Sequence, residues 1–175
     1  MDDRAIRFGY GYAAATTPSV IAAASVAPFF VLYGSASFTI AVLSVVVSGL
    51  TLTAVAYHSI ELRKHSSAPS GGTATALTQV PLDSVTPPAT VALCQVYTVA
   101  PTAGALVGRV GCRRRLSQAT TAAAAGIPAE VRFINPQAPV ILRGVAEGVA
   151  LGFGVAPATA VTLAVEVSWA EGAEI

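Results

Sequence analysis

The chain has 175 residues, with ten Lys and Arg against nine Asp and Glu, for a formal net charge of +1. Only 11% of its residues are charged and 54% are apolar, where an ordinary soluble domain carries roughly 25% charge. This length fits one domain, the near-neutral balance excludes bulk phosphate binding, which needs a basic stripe, and a surface this poor in charge has to be hidden against lipid or other protein.

Residues 1–33 read as an N-terminal arm and residues 34–175 as the folded domain. In the arm, Phe8-Gly9-Tyr10-Gly11-Tyr12 alternates aromatics with glycine before an Ala- and Thr-rich run. Two readings stand side by side. One is a flexible tail. The other is an extended arm that docks Phe8, Tyr10 and Tyr12 on a neighbouring subunit, with Arg4 and Arg7 adding charge to that candidate interface.

Residues 8–60 contain no Asp, Glu, Lys or Arg, and Arg63 and Lys64 follow. A helical hairpin through a bilayer at 19–57 is therefore an alternative to be weighed. Three features oppose it. Pro18 and Pro28 bracket a run of small residues, and 19–32 is too short for the ~20 residues that span a bilayer. Residues 38–52 are rich in β-branched and hydroxyl side chains, which favour strands. Beyond that, Leu52, Ala54, Ala56, Ile60 and Leu62 share one parity, against Thr51, Thr53, Tyr57, Ser59, Glu61 and Arg63 on the other. A period of two marks a half-buried strand. The acids Asp2 and Asp3 spoil a secretory signal, and aromatics at 7% are too few for an outer-membrane barrel.

The domain then reads as short strands between turns. Tyr33-Gly34-Ser35 is a turn. Residues 38–47 and 50–63 are strands split at Ser48-Gly49. Residues 66–72 form a Ser/Pro/Gly loop, 73–80 a strand and 81–88 another loop. Residues 91–99 are a strand with Val91, Leu93, Tyr97 and Val99 on one parity. The chain turns at 101–104 and returns over 105–116. An Ala/Thr run at 117–126 is a short helix or a loop. Short strands follow at 131–134, 140–142 and 149–155. The clearest strand is the last, with Val161, Leu163, Val165, Val167 and Trp169 on one face. About eight strands at roughly ten-residue spacing predict an all-β fold, a single antiparallel β-sandwich or jelly roll.

No catalytic, cofactor or metal site emerges. His58 and His65 lack a patterned carboxylate and nucleophile, and no G-x-S-x-G elbow occurs. Glu130, Glu147, Glu166 and Glu171 stand singly. Gly9-Tyr10-Gly11 and Gly152-Phe153-Gly154 lack the context of a phosphate loop. The one charge cluster is Arg113-Arg114-Arg115, with Arg109 just before it. It reads as a solvated strand end or as a docking patch for an acidic partner surface. Nucleic acid fits it poorly, since no aromatics are interleaved. Cys94 and Cys112 fit neither a disulfide scaffold nor a four-ligand zinc site. A disulfide between neighbouring strands is open to them, and two free buried thiols is the preferred reading.

Several segments resemble a family of small β-sandwich proteins of tailed bacteriophages. They are Ser48 to Tyr57, Ser70 to Thr78, Tyr97-Thr98 with Pro101 to Gly104, and Gly144 to Leu151 with the closing strand to Trp169. The likeness spans about residues 34–172 and rests on turn and strand patterns. It departs at 38–47, which is uncharged here where relatives carry more Lys and Arg. The resemblance implies a virion structural component, a head decoration or cement protein of jelly-roll type. It implies partners as well: the major capsid protein and copies of itself, a trimer favoured, on the head surface. It carries over no catalytic, metal or cofactor residues. A tail- or fibre-associated adhesion module is the alternative on the same fold. If the arm does the docking, truncating residues 1–30 weakens assembly and leaves the sheet folded.

Overall fold

The computed structural model describes residues 9–16, 19–21, 25–49, 56–83, 92–118, 130–134, 138–158 and 160–172. Over these residues the protein is all-β and forms two antiparallel sheets. The first is centred on β4 (Ile40–Gly49) and β13 (Val161–Glu171), and its path runs β10 (Glu130–Ile134), β4, β13, β1 (Tyr10–Ala15), β7 (Gln79–Pro81). Two short strands extend it end to end. β11 (Val140–Leu142) continues β10 along β4, and β2 (Ser19–Ile21) continues β1 along β13. The second sheet runs β6 (Thr73–Ala76), β8 (Leu93–Val99), β3 (Pro28–Tyr33), β12 (Gly148–Phe153), β5 (Ala56–His65), β9 (Leu106–Gln118).

Alternation explains how the sheets meet. Val161, Leu163, Val165, Val167 and Trp169 are all buried, as their shared parity predicts. On β4, Ile40, Val42, Val45 and Val47 join the same core, although 42 and 45 differ in parity. A bulge resolves this. Ser168 pairs with Ser44 and Trp169 with Val42, so Leu43 is an extra residue that resets the phase. From the second sheet Phe30, Leu32, Ile60, Leu62, Val149 and Leu151 enter the same cluster. The shared core gives a sandwich-like arrangement. At one corner, Phe133 of β10 packs against β9 where Gly111 stands; a Cβ there would lie 2.5 Å from the ring.

Residues 10–15 and 28–33 correct the arm reading, because both are built into the sheets. β1 lies between β13 and β7, and β3 lies between β8 and β12 with every residue buried. Tyr12 stacks on Trp169 at a centroid distance of 6.0 Å. The helical hairpin at 19–57 is likewise overturned in its described part, since residues 19–21, 28–33, 40–49 and 56–57 are strand. Among the described residues no helix is long and apolar enough to cross a membrane. The strand at 91–99 faces the other way from its apolar parity. Cys94 and Val96 enter the core, while Leu93 and Val99 are exposed. Most of the 81–88 loop and of the 117–126 run lies outside the described residues.

The outer face of the second sheet is covered too. β5 ends at His65, in the row of Gly148 and Tyr33, whereas β6 begins at Thr73 opposite Val99, beyond the other end of that sheet. Residues 66–72 therefore cross from β5 to the edge strand β6, and residues 100–105 return from β8 to the opposite edge strand β9. The two segments are laced together. The Ser66 N–H donates to the Ala105 carbonyl at 2.9 Å, the Ala105 N–H to Ser67 Oγ at 2.7 Å, and Ser70 and Thr102 exchange two backbone bonds. His65 alternates with inward Ile60 and Leu62 on the same strand as Glu61 and Arg63, and its Nδ1 lies 2.9 Å from the Gly104 carbonyl oxygen. That bond places the strap on the outer face. Beneath it sit Val31, Ala150, Tyr33 and Tyr97, a second apolar cluster. The Tyr33 and Tyr97 hydroxyls are 2.8 Å apart. Burial, and then the Tyr97 hydroxyl, hold the Tyr33 phenol well above the usual range.

Candidate interaction surfaces

Of the residues singled out in the N-terminal segment, Arg4, Arg7 and Phe8 lie outside the described residues. Tyr10 is exposed and faces Glu171 across the ladder. Tyr12 is buried in the core and is not available to a neighbour. Tyr10 and Tyr12 share the inward parity of the strand, and Tyr10, at its first position, is the one of the two that stays exposed.

Arg113, Arg114 and Arg115 lie on β9, the last strand of the second sheet, where Arg113 pairs with Ile60. Arg109 is on the same strand. Its Nε donates to Glu61 Oε2 at 3.0 Å, and Arg63 Nε donates to the same oxygen at 2.9 Å. Glu61 is buried between them, so its charge is neutralised in place. Arg63 also donates to the carbonyls of Val26 at 2.9 Å and Phe153 at 2.7 Å, tying the segment before β3 to β12. This network is structural. Sequence reasoning missed it because Glu61 and Arg109 are 48 positions apart. A second missed group is Glu171, which is buried and accepts from Trp169 Nε1 at 3.0 Å and the Ala92 N–H at 3.2 Å.

The histidines sit in different settings. His58 is inside the core, edge-on to the Phe153 ring at 5.8 Å. His65 anchors the strap. Among the described residues no three His, Cys, Asp or Glu side chains group as metal ligands.

Cys94 is buried on β8 and its thiol is pushed up to about 12 by burial. Cys112 pairs with Glu61 on β9. β8 and β9 are separated by β3, β12 and β5, which puts the two backbones roughly 19 Å apart at ~4.8 Å per strand, far beyond disulfide reach. The disulfide within one chain is excluded. In a Cys112→Ser variant, the remaining thiol should therefore resist Ellman's reagent at pH 8 for hours and react at once in denaturing urea. Rapid labelling of the native variant would contradict the burial.

Two surfaces stand open among the described residues. On the outer face of the first sheet, a shallow trough of about 260 Å³ is lined by Ala13, Ala15, Ser44, Val80, Glu166 and Ser168. On the second sheet, β9 exposes Leu106, Val107 and Val110. Comparison with protein-family models, with curated proteins and with solved structures finds no match to this chain.

Proposed function

We propose that this chain is a structural subunit of a virion, a head decoration or cement protein that binds the major capsid protein and further copies of itself, a trimer favoured. The observation that carries this reading is the surface. With 11% charged residues, the folded chain still exposes Tyr10, Val80, Leu106, Val107, Val110 and Val155. Such apolar exposure on a charge-poor chain marks contact with other protein. The resemblance of its turn and strand patterns to phage β-sandwich proteins of jelly-roll type supplies the assembly. The role needs rigid, complementary surface and no reaction, metal or cofactor.

The test has two stages. Size-exclusion with light scattering on the purified chain should show a defined oligomer, and electron microscopy of capsids incubated with it should show regular density on the head. Density confined to the tail would replace decoration by the adhesion role. A chain that stays monomeric and leaves capsids bare would remove the proposal.

A further inference from the structure

The strap over the second sheet is held by few bonds. Ser70 and Thr102 exchange two backbone bonds, the Ser66 N–H reaches the Ala105 carbonyl, and the Ala105 N–H reaches Ser67 Oγ. His65 adds the contact of its Nδ1 with the Gly104 oxygen. At Gly104 the two segments press together, since a Cβ there would fall on the Ser67 carbonyl. Most of the strap is exposed, yet His65 beneath it is only 3% exposed. The Gly104 oxygen can only accept, so Nδ1 carries the ring proton and the neutral imidazole has its lone pair at Nε2. Nε2 is buried as well, and it has no hydrogen-bond partner.

The charges around His65 offer nothing to a second ring proton. On its own strand and face, Arg63 lies two residues back and Glu61 four, and the Glu61 carboxylate is taken by Arg63 and Arg109. Lys64 points to the opposite side of the sheet, where its Nζ reaches the Ile141 carbonyl at 2.7 Å and Glu147 Oε2 at 3.2 Å. Glu147 precedes Gly148, the partner of His65 on β12, and its Oε2 also accepts from the Arg143 N–H. β12 itself, residues 66–72 and residues 100–105 contain no ionisable side chain. On β9, Leu106 pairs with His65, and Arg109 is the next charge along. Tyr33, in the row of Gly148, shares its hydroxyl bond with Tyr97.

We infer that His65 is an acid-sensitive latch: a proton on Nε2 releases the strap and uncovers Val31, Tyr33, Tyr97 and Ala150. With the strap closed, that proton would make a buried, charged donor without an acceptor. Opening gives the same nitrogen to water. The open state therefore binds the proton better, so the closed strap holds at neutral pH and is lost as pH falls. The strap is a surface segment, and it can open while the ladder of β5 with β12 stays intact. The latch belongs to the fold and does not depend on the virion role.

Hydrogen exchange on the full chain, read by mass spectrometry and divided by the intrinsic rate at each pH, tests it. Between pH 7.5 and pH 5.0 the amides of residues 66–72 and 100–105 should open about tenfold more often or beyond, while those of β13 keep their protection. His65→Gln retains an N–H for the Gly104 carbonyl and cannot take up a proton, so its strap should stay closed over the same range. Wild-type protein with nitrogen-labelled histidine gives a check without mutation. Its NMR spectrum at pH 7.5 should contain a ring protonated at Nδ1 alone. A strap indifferent to pH, an acid response that survives in the Gln variant, β13 opening in step with the strap, or two rings both protonated at Nε2 would each overturn the latch. If the Gln variant does not fold, the wild-type exchange and the ring spectrum still decide.

Discussion

Trp169→Ala is expected to lower the unfolding free energy by about 3–5 kcal/mol, the range for emptying a fully buried aromatic site. Trp169 is completely buried, and its ring is stacked on Tyr12. Its loss opens a cavity in the core near the end of β13, beside Val42 of β4 and Tyr12 of β1. A second effect adds to the cavity. Trp169 Nε1 donates to Glu171 Oε1, and Glu171 is itself buried. Truncation leaves that carboxylate with less compensation in the core. Domains have about 5–15 kcal/mol in total, so the variant stands near the edge of stability. Urea unfolding followed by circular dichroism measures it, and Trp169→Phe should recover part of the loss. A shift below about 1 kcal/mol would show that the site collapses or was never packed.

Deleting residues 1–15 is expected to abolish cooperative unfolding altogether. The deletion removes β1, which pairs with β13 over Tyr10 to Ala15 and with β7 over Tyr12 to Ala14. Tyr12 and Ala14 leave the core, β7 loses its neighbour in the sheet, and one long edge of β13 is bared. A bared apolar edge is also a site of aggregation. Deletion through residue 30 goes further, removing β2 and half of β3. Truncation therefore cannot report on docking, because it destroys the sheet that any docking would need. A soluble truncated chain with a sharp melting transition would refute the placement of β1.

What the sequence made legible follows from where the burial rule is simple. β13 is buried on one face along its length, so strict alternation from Val161 to Trp169 declared both the strand and its inner side. The turn at Gly34 was marked by glycine for the same local reason, whereas 101–104, read as a turn, instead crosses the sheet between β8 and β9, which are not neighbours in it. β1 was missed because Gly-Tyr-Gly-Tyr-Ala-Ala-Ala has weak strand propensity, and its partner β13 lies some 150 residues away. β8 was assigned the wrong face because apolar residues occupy both its parities: Cys94 and Val96 are buried, while on the other parity Tyr97 is buried and Leu93 and Val99 are exposed. The arginine cluster was visible as composition. The bulges that shape its strand depend on pairing with β5, and nothing local announces them.

The pairing of β1 with β13 has a consequence for biosynthesis. Tyr10 meets Glu171, so the central ladder of the first sheet joins nearly the earliest described residues to nearly the latest. No ribosome-bound fragment that stops short of residue 160 contains this ladder, and contacts of such separation form slowly. The nascent protein must hold β1, and with it Tyr12, in wait until translation delivers its mate. Chaperone dependence during synthesis, and a folding step that waits for β13 to emerge, are the marks of that arrangement.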